Sequence, residues 1–218
     1  MKFAILGATG RTGGQLLQLA LEKDHQVVAV CRNLSKITIK HENLQVVEGD
    51  VSSEASLTPL FKGCDAILSC LGTDSGLFKV TTFYSESIKA IAAAMRKAGV
   101  ERLVCMASWF TSYDKSDGGS FYIEWFMKPL AHLFLGRVLY DMRTMEEYIL
   151  SDCQDLNYTV VRPPGLADKP ITDDKFQTKE LQYVPDVKGM ISRADVARFM
   201  LESLDCNDFD KKILAIGI

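Results

Sequence analysis

What this chain lacks narrows its function before any motif is read. It has no C-x-x-C pair: its six cysteines, at positions 31, 64, 70, 105, 153 and 206, stand singly. Neither a zinc site nor a disulfide framework is supported, and the thiols read as small reduced core residues of a cytosolic protein. Charge of one sign is missing as well. A net charge of -3, with 24% of residues charged, creates no field that would draw nucleic acid or an anionic membrane face. No apolar run is clean enough to span a bilayer. The longest, FYIEWFMKPLAHLFLGRVLY at 121–140, contains Glu124, Lys128, Pro129, His132 and Arg137. The first apolar run leads into glycines with no small-residue cleavage site, so no signal peptide is expected. Repeats, low-complexity tracts and interdomain linkers are absent too.

What is present is an alternation. Over 218 residues, 47% of them hydrophobic, short β-rich runs trade places with stretches of helical period. Strands are expected at 2–6, 26–31, 44–49, 66–71, 102–107, 158–163 and 212–217, and helices at 12–23, 53–62, 80–98, 138–152 and 193–204. The strands are continuously apolar, which means burial on both faces, and the helices between them mean right-handed crossovers. The expectation is an α/β fold: a single doubly wound Rossmann domain spanning 1–218, with a mostly parallel sheet of about seven strands. A longer aromatic insertion falls at about 110–138.

The first strand is followed by GATGRTGG, with glycines at 7, 10 and 13. In a dinucleotide-binding unit the first glycine permits the tight turn, the second admits the pyrophosphate, and the third lets helix and strand approach. The phosphates then rest on free N–H groups at the helix N-terminus. Here the spacing is G-x-x-G-x-x-G, one residue longer than the common fingerprint, so the strand before it and the helix after it carry the assignment.

At the end of the second strand an NAD-binding chain places an acid for the ribose 2′-OH. This chain reads VCRNLSK, with Arg32 in that position, Lys36 one turn on, and Arg11 projecting from the glycine loop toward the same region. Three cations there favour a 2′-phosphate, and hence NADP(H). Asp50 and Val51 end the third strand in GDV, where they either cover the adenine or, with Ser52 and Ser53, open the next helix. Leu71 and Gly72 end the fourth strand, and Ser108, Trp109 and Phe110 follow the fifth, all on the sheet edge where open α/β folds bind ligands.

Taken together, GATGRTGG, VCRN, GDV, LGT, the serine after strand five, VVRPPGLADKPIT (160–172) and ISRADVARFMLESL (191–204) resemble the atypical short-chain dehydrogenases with an NmrA-like Rossmann domain. The likeness is greatest to flavin reductases, also called biliverdin-IXβ reductases, and runs nearly end to end. It implies NADPH-dependent hydride transfer to flavins or linear tetrapyrroles by a monomeric cytosolic enzyme. It also implies that Gly7, Thr9, Gly10, Arg11 and Thr12 hold the pyrophosphate, Arg32 the 2′-phosphate, Asp50 and Val51 the adenine, and Leu71 and Gly72 the ribose region. Pro163, Pro164, Leu166 and Ser108 would surround the nicotinamide, Ser108 being the candidate catalytic residue. Trp109 and Phe110 would wall the acceptor.

The Tyr-x-x-x-Lys pair of typical short-chain dehydrogenases is missing: Tyr140 is followed at the fourth position by Thr144, and Tyr84 by Ile88. That argues against alcohol dehydrogenase or epimerase chemistry and fits an acceptor that needs no strong protein acid. It fits equally a non-enzymatic NADP(H)-binding redox sensor of NmrA type. His25, His41 and His132 read as surface histidines. In the 121–140 segment Tyr122, Trp125, Phe126, Leu130, Leu133 and Phe134 form one apolar face, with Glu124, Lys128 and His132 off it. That face is expected to pack on the core or, flanked by SDGGS (116–120) and Gly136, to close as a lid over the nicotinamide; binding of a partner or bilayer is the weaker alternative.

Overall fold

The computed structural model describes residues 1–73, 81–111, 121, 123–180, 183–187 and 189–218. The strands are β1 (Lys2–Leu6), β2 (Gln26–Cys31), β3 (Leu44–Glu48), β4 (Ala66–Ser69), β5 (Arg102–Met106), β6 (Asn157–Arg162), β7 (Gly165–Ala167), β8 (Gln177–Lys179), β9 (Met190–Ser192) and β10 (Lys212–Gly217). Among the described residues, eight form one sheet in the order β3-β2-β1-β4-β5-β6-β10-β8, while β7 and β9 pair apart from it. Every pairing in the large sheet is parallel except β10 with β8. The seven expected strands are all present. The three that the sequence pattern did not announce, β7, β8 and β9, have three residues each, too short to carry a periodicity.

The helices α1 (Arg11–Glu22), α2 (Glu54–Phe61), α3 (Phe83–Ala98), α4 (Lys128–Asp152) and α5 (Arg193–Glu202) cover both faces. Alternation along β1 divides the core: Ala4 and Leu6 point into a cluster with Leu57, Phe61, Ile88, Ile91, Met95, Met142 and Ile149, and Phe3 and Ile5 into one with Leu16, Leu17, Ala20, Val196, Phe199 and Met200. So α2, α3 and α4 lie on one side and α1 and α5 on the other. The fold is the doubly wound α/β architecture, with the switch in strand order between β1 and β4.

The turn from β1 into α1 is made by backbone touching backbone. Gly7 has φ +80°, and a Cβ there would stand 2.5 Å from the Cys70 carbonyl oxygen. A Cβ on Gly13 would stand 2.1 Å from the Gly7 carbonyl oxygen, whereas on Gly10 the nearest atom would be 3.2 Å away. The first and third glycines are therefore required by packing.

Buried carboxylates bracket the helices. Asp141 on α4 accepts from the backbone N–H groups of Tyr84 (2.8 Å) and Ser85 (3.2 Å) and from the Ser85 hydroxyl (2.6 Å), so the α3 N-terminus is capped from another helix. Glu146 takes a two-pronged contact from Arg162 at 2.8 and 2.7 Å, tying α4 to the end of β6.

The start of α4 departs from the core expectation. It is preceded by one turn of π-helix at Ile123–Met127, with Pro129 in the first α-turn, where its missing N–H removes no bond. Phe121, Trp125, Phe126, Leu130, Leu133 and Phe134 are exposed. The polar row goes inward instead: Lys128 is fully buried, pairs with Glu124 at 3.6 Å, and Glu124 in turn accepts from the Tyr183 hydroxyl. His132 is half-buried and bonds to the Phe110 backbone, not a surface histidine as its sequence context suggested; burial lowers its pKa first, with Lys128 adding to the effect, against that bond. Tyr122 and the SDGGS flank lie outside the described residues.

Gly13→Ala is expected to destabilise the protein by about 3 kcal/mol or to prevent folding, since backbone must move, while Gly10→Ala stays within about 1 kcal/mol. Urea unfolding of both variants measures the contrast. Asp141→Ala, which strands the buried N–H groups of Tyr84 and Ser85 while the Ser85 hydroxyl keeps the Thr82 carbonyl, should lower stability by about 2–3 kcal/mol on the same assay, whereas Asp141→Asn should lose less because one oxygen remains to accept.

Candidate functional site

The carboxyl ends of β1, β2, β4 and β5 open on one cleft of about 330 Å³. Its floor is the glycine turn, with Gly7, Thr9, Gly10, Arg11 and Thr12. One wall carries Arg32, Lys36 and Val51, and the other Leu71, Gly72, Thr73, Phe83 and Met106. Nine of the residues singled out in the sequence as cofactor contacts thus meet in one place, drawn from four separate stretches of chain.

The floor suits an anion. Gly10 opens α1 with no side-chain cap, and the first turn holds no acidic residue, so its N–H groups face the cleft uncompensated at the positive end of the helix. Any side chain at Gly7 or Gly13 would collide with backbone, which is the arrangement that keeps this surface bare enough for a pyrophosphate to lie against it.

The cations divide into two groups. Arg32 and Lys36, at the end of β2, are exposed and make no ion pair among the described residues. Arg11 does not join them. Its guanidinium donates to Asp168 at 2.9 Å, and the other oxygen of Asp168 accepts from Arg193 at 2.8 Å. Two cations rather than three therefore stand at the expected 2′ position, because Asp168, just past β7, draws Arg11 to the opposite rim. Arg193 itself lines the cleft and was not anticipated. Its sequence signal was only the S-x-x-D cap of α5, where the Ser192 hydroxyl accepts from the Asp195 N–H at 2.9 Å. Only the packing of α5 beside α1 brings it to the rim.

The two long motifs that carried the family resemblance are bonded to each other. Asp168 and Thr172 belong to the first, Arg193 and Asp195 to the second; Thr172 donates its N–H to Asp195 at 2.9 Å, and Arg193 clamps Asp168. Together they build the rim next to the glycine turn.

Seven other residues singled out in the sequence do not line the cleft among the described residues. Asp50 accepts from the Ser52 N–H at 2.9 Å in a turn, and Ser53 caps α2. Pro163 and Pro164 are buried just past β6, and Leu166 packs on the core shared with α1 and α5. Beyond β5 the ladder continues, the Ala107 N–H bonding Val161 at 2.8 Å and the Trp109 N–H bonding Pro163 at 3.1 Å. By period-two alternation Ser108, which is half-buried, lies on the same side of the strand as Met106, and Trp109 is turned away. Trp109 is accordingly 2% exposed, with its indole N–H on the Ile216 carbonyl at 3.2 Å and Tyr183 beside it. It is a core residue and no wall of the cleft. Phe110 packs between the same cluster and the α3/α4 core.

Nucleophilic and metal chemistry find no support at this edge. Cys70 adjoins the cleft, but burial pushes its thiol up to about 12, so no thiolate forms near neutral pH. Burial likewise raises Tyr84 above its ordinary range. Among the described residues no cluster of His, Cys, Asp and Glu could hold a metal ion, and no helix is long and apolar enough to cross a membrane.

Comparison with known proteins agrees with this geometry. The chain is 28% identical over 211 residues to an uncharacterized sugar epimerase, YhfK, of Bacillus subtilis, covering 94% of this chain and 88% of that one. It is 25% identical to the oxidoreductase aflX of Aspergillus parasiticus, covering 100% and 82%. Among solved structures, a wide-type short-chain dehydrogenase/reductase from Veillonella parvula in complex with NADP superposes with a TM-score of 0.77 at 18% identity, covering 100% of this chain and 94% of that one. The anaerobillin reductase ChuY of Escherichia coli gives 0.76 at 22%, covering 99% and 96%. The family model described as NAD(P)H-binding matches residues 7–207, from the first glycine of the turn to beyond α5, and the chain belongs to that family.

Proposed function

We propose that the protein is an NADPH-dependent reductase that delivers a hydride to a flat conjugated acceptor of the flavin or linear-tetrapyrrole class. The observation that carries the choice of NADPH is the pair Arg32 and Lys36, two cations without an acidic partner among the described residues, on the cleft wall at the end of β2. A chain that binds the bare 2′-OH of NAD places a carboxylate there, and one that binds a 2′-phosphate places cations.

In this reading NADPH supplies the hydride, and the chain supplies position. The α1 N-terminus and the side-chain-free turn hold the pyrophosphate, and Arg32 with Lys36 holds the 2′-phosphate. Met106 and the edge residue Ser108 lie where the β5 end leads toward the nicotinamide, with Ser108 offering one hydrogen bond to the carboxamide or to the acceptor. Among the described residues no side chain at this edge is a strong acid or base, because Tyr84 is buried and Tyr140 stands exposed on α4. The proton that accompanies the hydride therefore comes from solvent, which suits an acceptor with basic ring nitrogens and does not suit a ketone. Orientation supplies most of the rate. The relatives named oxidoreductase and anaerobillin reductase support the same direction, and the one named epimerase supports only the shared cofactor fold.

Calorimetry is expected to give NADPH about ten- to a hundredfold tighter binding than NADH, since one charge-assisted contact contributes about 1.5–3 kcal/mol and both cations are exposed to solvent. Arg32→Asp should remove or reverse that preference; equal affinities in the unmodified protein would refute the 2′-phosphate site. Oxidation of NADPH should be accelerated by FMN or riboflavin, and its failure with every acceptor of either class, binding being intact, would leave a sensor.

Ser108→Ala should lower turnover only about two- to tenfold, the equivalent of one positioning hydrogen bond of about 0.5–1.5 kcal/mol. A variant that binds NADPH normally yet turns over nothing would make Ser108 an obligatory proton donor and overturn the solvent-proton mechanism.

A further inference from the structure

We propose that the outward face of the first half of α4 and the turn before it is the contact surface of a symmetric dimer formed with a second copy of this chain.

An amphipathic segment normally turns its apolar stripe to the core. This one is held in the opposite sense by charge. Lys128 is 1% exposed, Glu124 reaches it at 3.6 Å from one turn before, the Tyr183 hydroxyl donates to Glu124, and His132, one turn later, is bonded to the Phe110 backbone. These positions are spaced i, i+4, i+8 and define the inward side. Rotating the helix to bury its apolar stripe would carry Lys128 and Glu124 to the surface together and break the contacts to other elements, Tyr183 with Glu124 and Phe110 with His132, which fix the inward side.

The outward side carries Phe121 (70% exposed), Trp125 (62%), Phe126 (59%), Leu130 (50%), Leu133 (73%) and Phe134 (46%). With aromatic side chains of roughly 150–250 Å² each, the six expose on the order of 700 Å² of apolar surface. The largest patch on an ordinary monomer covers roughly 300–600 Å², and one side of a stable interface buries about 800 Å². Composition agrees, since interface centres are rich in Trp, Phe and Met and poor in charge. None of these six residues is charged, which gives no purchase to nucleic acid or to anionic lipid.

The face is also complementary to itself. Leu133 is its most exposed member, and three residues on, Gly136 leaves a notch: a Cβ built there meets nothing within 4 Å. Among the described residues nothing requires a glycine at that point, although glycine weakens a helix interior. A two-fold axis passing between these positions would seat Leu133 of each copy in the Gly136 notch of the other, with the helices antiparallel. A knob and a hole side by side on one surface are what an isologous interface needs.

Sedimentation velocity on the full chain at tens of micromolar tests this. The unmodified protein should run as a dimer that dissociates on dilution. Leu133→Glu should be monomeric at the same concentration, and Gly136→Leu, which fills the notch, should raise the dimer dissociation constant at least tenfold, both with unchanged circular dichroism and unchanged NADPH affinity. Leu133→Ser serves in place of the glutamate variant if that one misfolds. A monomeric unmodified protein at that concentration would overturn the proposal, as would a Leu133→Glu protein that stays dimeric. Flotation of a monomeric protein with neutral phosphatidylcholine vesicles, lost in Leu133→Glu, would assign the face to a bilayer and equally overturn it.

Discussion

Everything at the ligand edge of this protein depends on how closely the backbone of α1 approaches the backbone of β1. A Cβ at Gly13 would lie 2.1 Å from the Gly7 oxygen, and one at Gly7 would lie 2.5 Å from that of Cys70. Because no side chain intervenes, the free N–H groups of the first turn of α1 are aimed at the mouth of the sheet between β1, β2 and β4. The cleft, its electropositive floor and the positions of the cation-bearing strand ends all follow from that contact.

Acidic residues do the second part of the construction from outside the cleft lining. Asp141 caps α3 from α4, Glu146 holds Arg162 next to the buried prolines after β6, and Asp195 ties the loop at Thr172 to α5. Asp168 stands between Arg11 and Arg193 on the rim. Both Arg11 and Asp168 are largely exposed, so that pair contributes little stability, and its effect is on where the Arg11 charge sits. The cations lining the cleft are thereby sorted: Arg11 and Arg193 are paired with Asp168 on the rim, and Arg32 and Lys36 at the end of β2 have no acidic partner among the described residues.

The orientation of α4 is set by its polar row. Lys128 and Glu124 lie beneath the helix with Tyr183, and an apolar stripe left in water forfeits burial in proportion to its area, which a second apolar surface can restore. With Lys128, Glu124 and Tyr183 gathered beneath the helix, the aromatic residues face outward. The helical spacing of that stripe was plain in the sequence; its direction was not.

Sequence by itself determined the parts of this protein that depend on neighbours along the chain. Continuous apolar runs marked the seven principal strands, glycines three apart marked the side-chain-free turn, and Arg32 with Lys36 marked a cationic strand end, because backbone conformation and strand-end chemistry are local properties. Tertiary structure alone decided what depends on residues far apart in sequence. It placed Arg11 on Asp168 and away from the other cations, brought Arg193 into the cleft, and turned Trp109 into the core by the alternation of β5 beyond its nominal end. It also set Lys128 under α4 and its aromatics outside. In each case the deciding partner lies on another element, and a side chain's choice between a distant partner and water is made only when the fold brings the two together.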